Sequence, residues 1–299
     1  MRFGLCCKFA REPIKFPVTT ALYAMKLEPA ARRARLAALC RENARALAAA
    51  AEFCSRKGIG SFRVNSQVLP LKTHPEAGYD LAGLPGGREI VAEFRACGAL
   101  ARRLGVRLTF HPDQFILLSS PNPSVTASSV KELAYQAEVA GWIGADVINI
   151  HGGGAYGDKK AALARAAAVL KRLPAAVRSR LAFENDDRVY SPADLLPFCR
   201  ANGVPFVYDV HHHRCLPDGL SVERATRQAL ATWDREPLFH LSSPRGGWKA
   251  SDPRLHADYI DMKDFPACWR GLDVTVEVEA KAKELAVARL MKRLEDMHA

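Results

Sequence analysis

The sequence predicts an α/β fold, a closed (β/α)8 TIM barrel forming a single domain over residues 1–299, and two features carry that reading. Eight short apolar, β-branched-rich runs alternate with Ala- and Leu-rich stretches at helical spacing, the pattern of right-handed βαβ units in a parallel sheet. Six of the eight runs end in His, Asp or Glu: Phe110-His111, Asn149-Ile150-His151, Phe183-Glu184-Asn185-Asp186, Tyr208-Asp209-Val210-His211-His212-His213, Phe239-His240 and Val276-Glu277-Val278-Glu279. Ligand-type side chains at the same end of successive parallel strands converge on one face, where such barrels build active sites.

The elements follow in order. A strand at 2–6 leads to a helix at 29–51, whose alanines at 46–51 need no explanation beyond helix propensity. The strand at 61–64 is followed by a long loop near 66–86 and a helix at 87–104. The strand at 107–110 runs into His111-Pro112 and a helix at 129–141. The strand at 146–151 ends on His151, with Gly152-Gly153-Gly154 and a helix at 159–173 behind it. The strand at 181–184 ends on Glu184; its helix, 191–201, opens with Ser191 and Pro192 and stops at Asn202-Gly203. The strand at 205–210 is expected to continue into the histidine triplet before a helix at 222–232. The strand at 238–241 precedes a second long loop, about 242–258, and the strand at 274–279 closes the barrel. Both long loops fall on the catalytic face.

Composition narrows the function. Hydrophobic residues make up 48 % and charged residues 25 %, ordinary for a globular protein with ample core. The net charge is +11, from 43 Lys and Arg against 32 Asp and Glu. Several of the acids sit at strand ends, so the outer surface is more basic than the total, which favours a polyanionic partner. Eight cysteines without CxxC spacing read as reduced thiols of a cytoplasmic protein. The apolar run at the N-terminus is too short for a signal peptide, and no stretch reaches the roughly 20 apolar residues of a membrane span.

The carboxylates are the costliest residues to place. Glu184, Asp209 and Glu279 end apolar strands, where an unpaired charge costs several kcal/mol of desolvation. Bound cations remove that cost, and His111, His151, His212, His240 and His256 are available as partners. Mixed imidazole and carboxylate ligands suit Zn²⁺, Mn²⁺ or Fe²⁺ better than Mg²⁺ or Ca²⁺. Eight such groups exceed the needs of one ion. Two ions about 3.5–4 Å apart would clamp the attacking and leaving oxygens of a phosphodiester displacement. Glu184, central in the ligand order, is the expected bridge, and an ion-activated water then makes a separate protein base unnecessary.

One His at a strand end is more often structural than functional. Six strand ends doing so together is hard to explain as structure. Strand alternation lets only one or two of His211, His212 and His213 face the site, and His212 is the choice. Gly152-Gly153-Gly154 is either a phosphate or metal approach or an ordinary tight turn. Arg245 and Lys249, with Ser242 and Ser243, are candidates to hold DNA phosphates, as are Lys281 and Lys283, although solvated lysines are the default.

These residues resemble the UV damage endonuclease family, whose barrel is like that of endonuclease IV and xylose isomerase. The likeness is carried by Phe62-Arg63-Val64, Leu69-Pro70-Leu71-Lys72-Thr73-His74-Pro75, His111-Pro112-Asp113-Gln114-Phe115, the string from His151 to Lys159 (HGGGAYGDK), Glu184-Asn185-Asp186-Asp187-Arg188, Asp209-Val210-His211-His212, His240-Leu241-Ser242-Ser243 and Glu279-Ala280-Lys281-Ala282-Lys283-Glu284. The resemblance implies nicking of damaged double-stranded DNA on the 5′ side of a lesion. It implies metal ligands at His111, His151, Glu184, Asp209, His212, His240, His256 and Glu279, with Mn²⁺ as the ion (two or three copies) and Zn²⁺ or Co²⁺ as alternatives. It places His74 near the scissile phosphate, makes a catalytic group of His74, Glu184 and Lys281, and makes Gln114 and Phe115 a probing pair that enters the duplex. A monomer is expected.

The chain departs from that pattern at three places. Phe115 stands where Tyr is common, Leu5 where a Tyr is expected, and Leu238 where a metal-associated Lys can occur. A third ion would then rest mainly on His212 and His256. Two other readings compete: a xylose-isomerase-like barrel enzyme acting on a small molecule such as a sugar, and a DNA-binding barrel that has lost catalysis. The basic charge and Gln114-Phe115 favour the nuclease over the first. Glu184, Asp209, His240 and Glu279 together argue against the second.

Overall fold

The computed structural model describes residues 1–297. Its eight strands are β1 (Arg2–Cys6), β2 (Ser61–Val64), β3 (Arg107–Phe110), β4 (Val147–His151), β5 (Leu181–Glu184), β6 (Phe206–Asp209), β7 (Leu238–Leu241) and β8 (Thr275–Val278). They pair in parallel in chain order, and β8 returns to β1 to close the barrel. The predicted α/β barrel is the observed fold.

The six expected helices lie where the apolar spacing put them, with ends set by capping; a further helix, Glu284–Asp296, follows β8 and was not expected. The helix expected at 129–141 starts earlier, at Pro123, because the Asn122 side chain accepts from the Ser124 N–H and proline suits the first turn. The helix from Pro29 runs on to Arg56, since Phe53 and Cys54 still face the core. Ser191 and Asp194 form a reciprocal capping box, and Gly203, in the left-handed region at φ 61°, ends that helix.

One element differs in kind. The strand expected at 205–210 ends at Asp209, and Val210–Cys215 is a short helix. Asp209 is its N-cap, accepting from the His212 N–H at 2.8 Å. An aspartate at a strand end outcompetes the next ladder bond because its side chain satisfies a helical donor directly.

Strand alternation sorts the barrel interior. The outward residues Leu5, Phe62, Phe110, Phe183 and Val278 join the apolar shell under the helices. Inside, Val147, Ala182, Val207 and Leu238 form a separate, fully buried apolar cluster. Beside it sit buried polar residues, Arg63, Thr109, Asn149 and Glu277. Space there is tight: a Cβ on Gly4 would lie 2.9 Å from Glu277 Cγ. Leu5 and Leu238 are thus core residues, one outside the barrel wall and one on its apolar floor.

Candidate metal centre

Above that floor the strand ends deliver the ligand-type groups. His111 follows β3, His151 ends β4, Glu184 ends β5, Asp209 ends β6, His240 is inward on β7 and Glu279 follows β8. Three groupings have ligand atoms within 4.8 Å of one another: His111 with His240 and Glu279, His111 with His151 and Glu184, and Glu184 with Asp209 and His212. Glu184 and His111 are each shared by two of them. Seven of the eight expected ligands are therefore brought together.

Glu184 is fully buried and accepts from every side. His240 Nδ1 stands 2.9 Å from Oε1, and His111 Nε2 stands 3.0 Å from Oε2. The Asn149 amide also donates to Oε2. His212 Nδ1 is 2.9 Å from the Asn185 carbonyl, 3.4 Å from Glu184 and 3.5 Å from Asp209. His212 faces the centre as expected, but through the helical turn after Asp209 and not by strand alternation. Its neighbours are structural: His213 bridges Tyr208 and Asp218, and His211 packs on Trp248 and His256.

The eighth expected ligand, His256, comes from the long loop after β7. An antiparallel bridge between Pro244 and His256 folds that loop back, leaving His256 Nδ1 3.7 Å from Glu279 Oε2.

Charges at the centre act strongly on one another. Burial favours a neutral Glu184, yet His240, His151 and His111 hold its carboxyl well below the usual range. Burial opposes a charged His240 too, but Glu184 pushes it up to about 10. His151 is driven down by burial, which Glu184 only partly offsets.

The donor set fits divalent cations. Asp209 Oδ2 and His151 Nδ1 are buried polar atoms with no hydrogen-bond partner in the protein. Buried atoms of that kind are costly unless something outside the chain binds them. Carboxylate and imidazole ligands in overlapping groups suit borderline divalent ions such as Mn²⁺ or Zn²⁺.

The remaining expected residues lie around this centre. Phe115 is 71 % exposed at the tip of the loop after β3, beside exposed Gln114. An aspartate turn holds that tip, with Asp113 accepting from the Phe115 N–H at 3.1 Å. His74 is outside the buried cluster. It lines a groove of about 900 Å³ that Phe115 also borders. Its Nδ1 accepts from the Glu76 and Ala77 N–H groups, so Nε2 carries the proton. Arg245, Lys249 and Lys281 are exposed on the loops after β7 and β8. The glycines after His151 serve packing: a Cβ on Gly152 would meet the Tyr190 ring at 2.6 Å, and Gly153, at φ 84°, lies against Ser119. That is the tight-turn reading.

Sequence reasoning passed over Arg63, Thr109, Asn149, Asn185 and Glu277. Thr109, Asn149 and Glu277 lie two residues before His111, His151 and Glu279, the same-face spacing of a strand. Period-two counting back from each ligand would have found them.

Comparison with known proteins identifies the family. The profile of the UV-endonuclease UvdE family matches residues 1–299. The UV DNA damage endonuclease of Bacillus velezensis is 35 % identical over 98 % of this chain and 93 % of its own length. That of Deinococcus radiodurans is 35 % identical over 97 % and 94 %. The crystal structure of SacUVDE superposes with a TM-score of 0.88 at 26 % identity, covering 100 % of this chain and 99 % of that one. Endonuclease IV from Thermus thermophilus shares the fold at a TM-score of 0.63 and 16 % identity, with 99 % and 98 % covered. D-psicose 3-epimerase from Clostridium cellulolyticum shares it at 0.59 and 14 %, with the same coverage, so the barrel alone does not select a substrate. Sequence similarity along the whole chain shows the family: this protein belongs to the UV-endonuclease UvdE family.

Proposed function

We propose that the protein is a metal-dependent DNA repair endonuclease that cuts the backbone on the 5′ side of UV photoproducts and other lesions. The observation that carries this reading is the buried Glu184, shared between two ligand groupings at the barrel end where Phe115 projects. His111, His151, Glu184, Asp209, His212, His240, His256 and Glu279 would hold the ions, Mn²⁺ first among them. When bound, such ions supply Lewis-acid stabilisation of the charge that develops on the phosphodiester.

The chain's own residues do the rest. His111, His240 and Asn149 fix Glu184 in one orientation, so the centre is organised before DNA arrives. His74, with its proton on Nε2, can donate to a phosphate oxygen. Lys281, Arg245 and Lys249 offset backbone charge near the cut. Phe115 and Gln114 enter the stack, where a damaged step opens at lower cost than an intact one. The 299 residues act as one domain and one monomer on cellular DNA, in the cytoplasm. Among the described residues, no helix is long and apolar enough to cross a membrane.

The test is UV-irradiated supercoiled plasmid, incubated with protein and Mn²⁺ beside unirradiated plasmid. Relaxation confined to irradiated DNA, abolished by chelation, supports the reading. Equal nicking of both, or none with Mn²⁺, Zn²⁺ or Co²⁺, overturns it.

A further inference from the structure

We propose that Glu277, with Arg63 behind it, is a positioning residue that fixes how His240 meets the metal centre. The inference rests on reading His240 as a ligand there. His240 and Glu277 are register partners on β7 and β8, and His240 Nε2 lies 3.1 Å from Glu277 Oε2. The other ring nitrogen, Nδ1, is 2.9 Å from Glu184 and 3.5 Å from Glu279. The ring is fully buried, so no bulk water competes for either nitrogen. A carboxylate that accepts the Nε2–H leaves the Nδ1 lone pair for an ion and sets the ring plane.

Glu277 itself is saturated. Arg63 lies 2.5 Å from Oε2, and the Thr109 hydroxyl donates to Oε1. It belongs to none of the three ligand groupings. Arg63 reaches further, with Nη1 2.6 Å from Glu279 Oε1. Its Nη2 also lies 2.9 Å from His240 Nε2, but once Glu277 takes the Nε2–H both of those atoms are donors, so the hydrogen bonds of the guanidinium go to the two carboxylates. One guanidinium therefore ties the orienting carboxylate to a ligand carboxylate, the arginine coming from β2, Glu277 from β8 and Glu279 from the residue after β8.

The apolar half of the floor makes the alternative explicit. Val147, Ala182, Val207 and Leu238 fill their part of the interior with hydrocarbon alone. A buried ion pair is seldom more stable than such packing. Its place directly under His240 and Glu279 points to orientation and not to stability as what the pair contributes.

The test compares Glu277→Gln and the double variant Arg63→Met/Glu277→Leu with the unchanged protein. Mn²⁺ affinity is read by titration calorimetry, and the fold of the ion-free protein by circular dichroism and thermal melting. An orienting role predicts a loss of Mn²⁺ affinity of about 10- to 100-fold in both variants, including a double variant that melts like the unchanged protein. A pair that only balances charge predicts the opposite: removing both charges restores Mn²⁺ affinity or raises it, because a cation beside Glu279 is gone. That result overturns the proposal. If Glu277→Gln does not fold, the double variant still decides, since it leaves no uncompensated charge. Failure of the unchanged protein to bind Mn²⁺, Zn²⁺ or Co²⁺ would instead remove the metal-centre reading, and the proposal with it.

Discussion

Replacing Phe115 with alanine separates recognition from folding. The ring is 71 % exposed, and the turn that holds it is made by Asp113 and backbone, not by the ring. Truncation should therefore change stability by no more than about 0.5 kcal/mol, as for ordinary surface positions. Binding is another matter. An aromatic ring stacked on a base is worth about 1–3 kcal/mol, and each 1.4 kcal/mol is tenfold, so affinity for lesion DNA should fall about 5- to 150-fold. The assay is fluorescence anisotropy with a duplex carrying one pyrimidine dimer, at fixed salt because phosphate contacts are salt-dependent. A Glu184→Gln background keeps the DNA intact. Phe115→Tyr retains the stacking face and should bind like the parent. Unchanged affinity in Phe115→Ala would refute the probing role, and a drop of several degrees in melting temperature would show that the ring serves packing.

Other predictions follow from buried contacts. His212→Ala should lower ion affinity or occupancy, and should also cost about 1–3 kcal/mol because the buried Asn185 carbonyl loses its partner. His213→Ala should leave ion binding intact but lose about 1–3 kcal/mol, because Tyr208 and Asp218 lose their shared partner; calorimetry distinguishes the two, and urea unfolding reads the loss in each. Leu238→Ala, cut into the apolar floor, should cost about 2–5 kcal/mol in urea unfolding. The pH profile of the ion-free protein has two edges. Burial opposes the His240 charge, but Glu184 raises it to about 10, so its contribution is complete below about pH 6.5 and is lost as pH rises through 10. Burial would raise Glu277, but Arg63 and His240 hold it at about 2, so its contribution is present above about pH 4.5 and is lost as pH falls toward 2. Urea midpoints across pH 3–10 check both edges. Ion loading must displace protons from His240 and His212, both held, against burial, above the usual histidine range by neighbouring carboxylates, so Mn²⁺ affinity should rise by at least about tenfold per pH unit between pH 7 and 9.

The barrel was legible because βα alternation repeats eight times, and repetition averages out local ambiguity. Glu184, Asp209 and Glu279 were legible because a carboxylate at the end of an apolar strand contradicts its surroundings. Asp209 also shows where local reading stopped. Continuing its strand through His213 ignored the cap that turns the chain into a helix, although His212 still reached the centre. Arg63 and Glu277 were passed over because a charge inside a strand is uninformative until the register puts its partner opposite. Glu277 meets His240 only through the β7–β8 pairing, and Arg63 reaches Glu277 across 214 residues of sequence separation. His256 depended on a loop fold that no periodicity encodes.

The most direct measurement uses an end-labelled duplex with one defined pyrimidine dimer, an identical undamaged duplex, and protein with Mn²⁺, beside Glu184→Gln. The account predicts one incision immediately 5′ of the dimer, absent from the undamaged duplex and from Glu184→Gln. Incision that ignores the dimer, or full activity in Glu184→Gln, would contradict it.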